Sequence, residues 1–341
     1  MYSKNINPAL VEKKVRREIA QWCLGREKIL NIVSPPYNLM KIFSYAIINS
    51  VNLNKKILYI TNEDASNVHI INDMKKEYGF KKYTYYKENS KYNDSLLVIS
   101  KHDMLQNIKD KFDLVIYDDI KSFSFHSKKE IAEASKNMCK KDGKIIGYSV
   151  ERIFDRNSRE IILPVRGNAI PLVEPKFIST RIDINKDIPY VVYEYIEWSI
   201  NSNRKVIVYV PDEVKVENVH EYLSKYCKKF SKGTFPFIRN KSEKRVLYNF
   251  LKMKKAIVIT NHFNDVHFDL KDINVMVFFA DNKYFDYKKL VYLCGKVGRS
   301  ESSHNGEVIF LGNYETEDMD KAKSITRRFN KEAWDMNLLK I

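Results

Sequence analysis

Lys296 and Arg299 sit beside Gly295 and Gly298 within LVYLCGKVGRSESSHNGEVIFLG (290–312), just ahead of an apolar strand. Glycine permits a tight turn, so an ammonium and a guanidinium can point at one bound phosphate. Arginine suits this task because its planar fork is permanently charged and bonds oxyanions in pairs. Taken alone, the same residues also make an ordinary basic turn. A second set, Asp118 and Asp119, ends the apolar run DLVIYDD. One carboxylate there can hold Mg²⁺, directly or through water, while its neighbour orients an attacking water. Acids also end parallel strands for structural reasons, as in methyltransferases. A third segment, PPYNLMKI (35–42), follows the apolar run ILNIV, where a phosphate-binding loop would stand. The pattern GxxxxGK[ST] works because glycines let amide N–H groups wrap phosphates, Lys reaches the outer two, and the hydroxyl holds Mg²⁺. Here Pro35 and Met40 replace the glycines and Ile42 the hydroxyl residue, leaving Lys41. Prolines 35 and 36 also lack amide donors. The loop is therefore impaired for tight ATP binding.

Composition bounds the partners and the compartment. A chain of 341 residues exceeds what one core usually serves, which predicts two domains. With 44% hydrophobic and 13% aromatic residues it can pack both. A net charge of +16 and a pI near 9.3 favour a polyanion, although abundant Lys, Asn, Ile and Tyr also follow from AT-rich coding. Cys23, Cys139, Cys227 and Cys294 are scattered without a CxxC pair, which argues against zinc and against a disulfide framework. The first residues lack an apolar signal core, and no apolar run approaches the ~20 residues of a membrane span. A cytoplasmic protein is expected, at most peripheral at the inner face of the membrane.

Elements that position these groups can be read from periodicity. A helix is predicted over 9–25, with Leu10, Val11, Val15, Ile19 and Trp22 on one side. Apolar runs at 29–33, 56–61, 96–100, 113–119 and 144–149 read as strands, with helical patterns at 40–51 and 66–79. Residues 155–187 carry Pro164, Gly167, Pro171 and Pro175 and read as an extended connector. A second alternation follows: helices at 190–202 and 214–230, strands at 205–211, 254–260, 273–280 and 306–312, and a closing helix at 315–336. Continuous apolar runs separated by helices indicate parallel sheets covered on both faces, a doubly wound α/β class. In such sheets chemistry gathers at the strand carboxyl ends. That rule selects 34–41, Thr61, Asn62, Ser100 to His102, Asp118, Asp119 and Ser149, then Pro211 and 260–265 in the second half.

With these segments placed, the chain resembles ComFA, the superfamily 2 DNA-translocase family of bacterial competence, from about Gln21 to Ala333. FDLVIYDDIKSFSF is similar to motif II, with Asp118 at the Mg²⁺ aspartate and Asp119 where a glutamate normally sits. YSVER (148–152) lies where motif III reads TATP, with Ser149 near the hydroxyl position. LPVRGNAIPLVEPKF (163–177) resembles the family connector LPxRxHxxPLPxP, its most specific element. TNHFNDVHF (260–268) is a worn motif V, and LVYLCGKVGRS resembles motif VI, with Tyr292 for Gln and Lys296 for the first Arg.

The resemblance implies two RecA-like doubly wound parallel-sheet lobes in tandem. The expected divisions are an N-terminal helix (1–27), lobe 1 (28–160), a connector (161–187) and lobe 2 with a C-terminal helix (188–341). It implies ATP and Mg²⁺ as cofactors; the four-cysteine zinc module of many relatives has no counterpart among the scattered cysteines, so zinc is not expected. Asp118, Asp119, Lys296 and Arg299 take the catalytic positions, with Asp118 on the metal. Pro36, Tyr37, Asn38, Lys41, Ile42 and Ser149 take the nucleotide positions. Thr61, Asn62, Ser100, Lys101, His102, Pro211, Thr260 and Asn261 fall at positions that hold a DNA backbone. Implied partners are single-stranded DNA, a membrane DNA-uptake channel and competence proteins. Departures from the pattern are the lost phosphate loop, Asp for Glu at 119 (a carboxylate over an ångström short), the eroded motif V and Lys for Arg at 296. Two readings follow: an ATP-driven DNA translocase with a divergent site, or a non-catalytic DNA-binding scaffold. A methyltransferase is disfavoured, because no glycine-rich loop follows the first strand. Tyr83, Tyr85 and Tyr86 beside Lys81 and Lys82 either stack bases or form a partly buried edge strand.

Overall fold

The computed structural model describes residues 8–38, 41–63, 65–87, 96–120, 126–155, 157–230, 233–263, 271–300 and 306–340. Met40, the end of the motif II-like run (121–125), residues 264–268 of the motif V-like run and 301–305 lie outside them. The chain divides into two compact units: Met1–Ala169 with Lys331–Ile341, and Ile170–Asn330.

Unit 1 begins with α1 (Pro8–Leu24), which buries Val11, Val15, Ile19 and Trp22. Leu10, expected on that apolar side, is 61% exposed instead, because the buried stripe follows the 11–15–19–22 spacing. Then come β1 (Ile29–Val33), α2 (Ser44–Asn52), β2 (Ile57–Ile60), α3 (His69–Tyr78), β3 (Tyr83–Tyr85), β4 (Leu97–Ser100), β5 (Phe112–Asp118), α4 (Lys128–Met138), β6 (Cys139–Ser149) and β7 (Ser158–Ile162). The sheet order is β3-β4-β2-β5-β6-β1-β7, with every neighbouring pair parallel. Strands β2 and β4 are buried at every residue, as covered parallel strands must be. One face packs Leu58, Ile60, Val98, Val115, Tyr117 and Ile145 against Ile131 and Met138 of α4. That helix opens with a reciprocal Ser127–Glu130 capping box, S-x-x-E in the sequence, which the periodicity had not singled out.

Unit 2 runs β8 (Lys176–Ser179), α5 (Tyr190–Asn201), β9 (Lys205–Tyr209), α6 (Glu213–Tyr226), β10 (Thr234–Phe237), α7 (Lys244–Lys252), β11 (Ile257–Thr260), β12 (Ile273–Phe278), α8 (Tyr287–Gly295), β13 (Val308–Gly312) and α9 (Glu317–Asp335). Its sheet is also parallel, in the order β10-β11-β9-β12-β13-β8. The core gathers Val206, Val208, Ile257, Ile259, Met276 and Phe278 against Val192, Ile196 and Ile200 of α5 and Val216, Val219 and Leu223 of α6. The stretch expected to be an extended connector instead gives a strand to each sheet: β7 pairs with β1, and β8 with β13. Short edge strands carry little periodicity, and the neighbouring prolines mask them in the sequence.

Candidate functional site

In unit 1, β5 delivers Asp118 fully buried at the centre of the sheet. A carboxylate so placed needs donors. Tyr59 of β2 donates its phenolic O–H to Asp118 Oδ2 at 2.8 Å, and the Ile120 amide donates to Oδ1 at 3.1 Å. Burial, then the Asp118 charge, pushes the Tyr59 phenol well above its ordinary value, so it stays protonated as the donor. Asp119 is nearly buried: its amide donates to the Tyr148 carbonyl at 2.8 Å, and Ser149 Oγ donates to its Oδ2 at 3.1 Å. Asp118, Asp119 and Ser149 are thus brought together by adjacent strands β5 and β6.

The segment after β1 is closed on itself. The Ser34 amide donates to the Ser149 carbonyl (3.0 Å) and the Tyr37 amide to the Ile120 carbonyl (3.3 Å), while Pro35 and Pro36 have no amide hydrogen. Tyr37 adopts φ +63°, a region that glycine favours, and so turns the chain inward. The buried Asn38 side chain then donates to Ser34 Oγ (2.8 Å) and to the Val165 carbonyl (2.8 Å). Ile42 is wholly buried, and Phe43 beside it packs edge-on against Tyr59 and Tyr148, at 6.5 and 5.2 Å between centroids. Lys41 Nζ lies 3.4 Å from Glu77 of α3.

Neighbouring strand ends are stitched together as well. The Thr61 amide donates to the Ser100 carbonyl (2.9 Å), and Asn62 Oδ1 accepts from the His102 amide (3.0 Å). His102 is buried, stacks on Tyr117 at 4.6 Å, and puts Nε2 at 2.8 Å from the Asp118 carbonyl. A carbonyl only accepts, which fixes the proton on Nε2. Thr61, Asn62, Ser100 and His102 therefore form one wall around Asp118, with Lys101 exposed beside them.

A residue outside the predicted set organises the loop after β6. Asn31, buried in β1, accepts on Oδ1 from the Ile153 and Phe154 amides, both at 3.0 Å. Its Nδ2 donates to the Phe154 carbonyl (2.9 Å) and Ser158 Oγ (3.0 Å), so its amide is fully satisfied. Arg152 adds bonds to the Phe154 and Asp155 carbonyls and to Ser158 Oγ. The signal was available: a lone polar residue in ILNIV, inside an otherwise apolar strand.

In unit 2, Lys296 follows α8 and is 2% exposed. Its Nζ lies 5.8 Å from the Tyr209 ring centroid and 5.4 Å from that of Tyr292, within cation–π range of both. Tyr292 and Lys296, two departures from the motif VI pattern, are therefore contacting partners. Gly298 has φ +65°, a conformation that glycine adopts without strain, and Arg299 is partly exposed. Thr260 Oγ1 accepts from the His262 amide (2.9 Å), Asn261 Oδ1 from the Arg239 amide (2.9 Å), and Pro211 is buried. Phe263 stacks on Tyr209 at 5.2 Å, completing an aromatic floor with Tyr284 and Phe285.

These groups do not fit a magnesium–triphosphate. Both Asp118 carboxylate oxygens already accept protein hydrogens, the amides of 34–37 are spent or absent, and Ile42 offers no side-chain hydroxyl. Among the described residues no three His, Cys, Asp or Glu side chains gather as a metal site, and all four cysteines are free.

No protein-family model matches the chain. It is similar to competence protein ComFA of Bacillus subtilis (23% identity over 252 residues, 70% of this chain and 53% of that protein). It is likewise similar to ComFA of Streptococcus pneumoniae (24% over 260 residues, 72% and 59%). The chain thus spans little more than half the length of these relatives. Among solved structures, S. cerevisiae Dbp5 bound to RNA and ADP BeF3 matches with a TM-score of 0.56 at 11% identity, over 94% of this chain and 90% of that one. E. coli DExH-box NTPase HrpB matches at 0.57 and 11%, over 95% and 43%. Helicase MrfA bound to DNA and AMPPNP matches at 0.53 and 14%, over 96% and 53%. At these identities the likeness shows the fold: two RecA-like parallel-sheet lobes in tandem.

Proposed function

We propose that this chain, a ComFA-like protein of the superfamily 2 helicase fold, binds single-stranded DNA without turning over ATP. One observation carries the reading: the loop after β1 has spent or lost its amides from Ser34 to Tyr37, and Tyr59 caps the aspartate of the motif II position. Phosphate cradles need unspent amides and an open carboxylate. The excess of cations, +16 net, supports a polyanion as the partner. The ComFA relatives are competence proteins, so the role proposed is to hold incoming single strands during DNA uptake, in contact with other competence proteins. Among the described residues no helix is long and apolar enough to cross a membrane.

The translocase reading retains the Asp119–Ser149 link and a partly exposed Arg299. Fluorescence anisotropy of a labelled oligothymidylate, in EDTA and in Mg²⁺–ATP, separates the two. Equal affinity in both buffers is expected. Log affinity should fall against log salt by about 0.7 per phosphate neutralised. Single-strand-stimulated ATP hydrolysis that disappears in Arg299→Ala would overturn the proposal in favour of a motor.

A further inference from the structure

The turn from α3 into β3 builds a surface that the site above does not use. Residues 75–87, KKEYGFKKYTYYK, hold five lysines, four tyrosines and a single acid. Gly79, at φ +61°, ends α3 in the left-handed conformation, its amide bonded to the Lys75 carbonyl at 3.0 Å. Phe80 is buried and anchors the reversal, so the last turn of α3 stands beside β3. The result places Lys75 Nζ 4.9 Å from the Tyr83 ring centroid. Alternate residues of a strand share a face. Accordingly Tyr83 and Tyr85 meet at 6.0 Å and 87°, which holds both rings partly exposed.

Among the described residues β3 is the outer strand of its sheet and pairs with β4 alone. Lys75, Lys76, Lys81, Lys82 and Lys87 are all exposed. Glu77 is drawn away from them by Lys41 at 3.4 Å and Arg16 at 4.0 Å. Among the described residues Lys76, Lys81 and Lys82 have no carboxylate within ion-pair distance. Unneutralised lysines interleaved with ordered aromatic rings match the chemistry of an unpaired nucleic-acid strand: cations track phosphates, and ring faces accept bases whatever their identity. The edge is also continuous with the strand-end wall, since Tyr85 lies in register with Ile99, two residues before exposed Lys101.

We infer that the β3 edge, through Tyr83, Tyr85, Lys81 and Lys82, is a stacking platform for single-stranded DNA outside the strand-end loops. This rests on the single-strand binding proposed above and names a surface for it. The test is oligothymidylate binding by the whole chain carrying Tyr83→Ala/Tyr85→Ala, Tyr83→Phe/Tyr85→Phe, or Lys81→Ala/Lys82→Ala, with a blunt duplex of equal length as comparison. The alanine pair should weaken single-strand binding by roughly 30-fold, the low end for two stacked bases. The phenylalanine pair keeps the ring faces and should stay within about twofold of wild type, which also controls for folding. The lysine pair should lower the log–log salt slope by about 1.4. Duplex binding should change little in the tyrosine variants, because paired bases are already stacked. Wild-type affinity in the alanine and lysine pairs overturns this platform and leaves DNA binding itself intact. An equal loss on duplex and single strand also overturns it. Failure of the wild type to bind oligothymidylate sinks both.

Discussion

Tyr59→Phe removes one oxygen, and with it the hydrogen that Asp118 Oδ2 receives at 2.8 Å. Asp118 is fully buried, so water does not replace the lost donor, while the Ile120 amide still donates to Oδ1. A hydrogen bond to a charged group is worth about 1.5–3 kcal/mol net, so a loss near 2 kcal/mol is expected. For a folding unit of about 150–250 residues, the size class of unit 1, that lowers Tm by about 4–8 °C. Urea unfolding followed by circular dichroism should show a lower midpoint at unchanged slope. Crossing the change with Asp118→Asn should give a coupling energy of about 1–3 kcal/mol, because the two side chains share one interaction. Saturating Mg²⁺–ATP should shift neither the wild type nor Tyr59→Phe, whereas binding at 100 times Kd would add about 2.7 kcal/mol. Additive single changes would refute the capping argument. A nucleotide-induced rise in Tm that vanishes in Asp118→Asn would refute the closed-site argument as a whole.

Asn31→Ala strands the Ile153 and Phe154 amides together and should cost about 3–5 kcal/mol, measured as a fall in urea midpoint. Gly147→Ala sets a Cβ 2.8 Å from the Phe154 ring and should cost about 1–3 kcal/mol by the same measurement, with Asn31→Ala/Gly147→Ala less than additive because both act on Phe154. Burial pushes the Cys23 and Cys139 thiols up to about 11 from 9.0, so the unfolded chain loses these protons first; stability should fall as pH rises from 9 towards 11, and dithionitrobenzoate should react slowly at pH 8 until denaturant is added.

The sequence reached furthest where one segment suffices. ILNIV, LLVIS and DLVIYDD announce buried parallel strands, because a strand covered on both faces is filled by apolar residues, and a polar one such as Asn31 stays only with its hydrogen bonds met. Pro35, Pro36 and Ile42 likewise declare two missing amide hydrogens and a missing hydroxyl, because these are covalent facts. Local reasoning gave out where partners are distant. Tyr59 and Asp118 are 59 residues apart and meet only because β2 and β5 are neighbours in the sheet. Asn31 reaches Phe154 across 123 residues because β1 lies between β6 and β7. Lys296 finds Tyr209 because α8 ends over the strand ends of β9. Periodicity reports which face of an element is apolar, but strand order decides which polar side chains converge, and no single segment encodes that order.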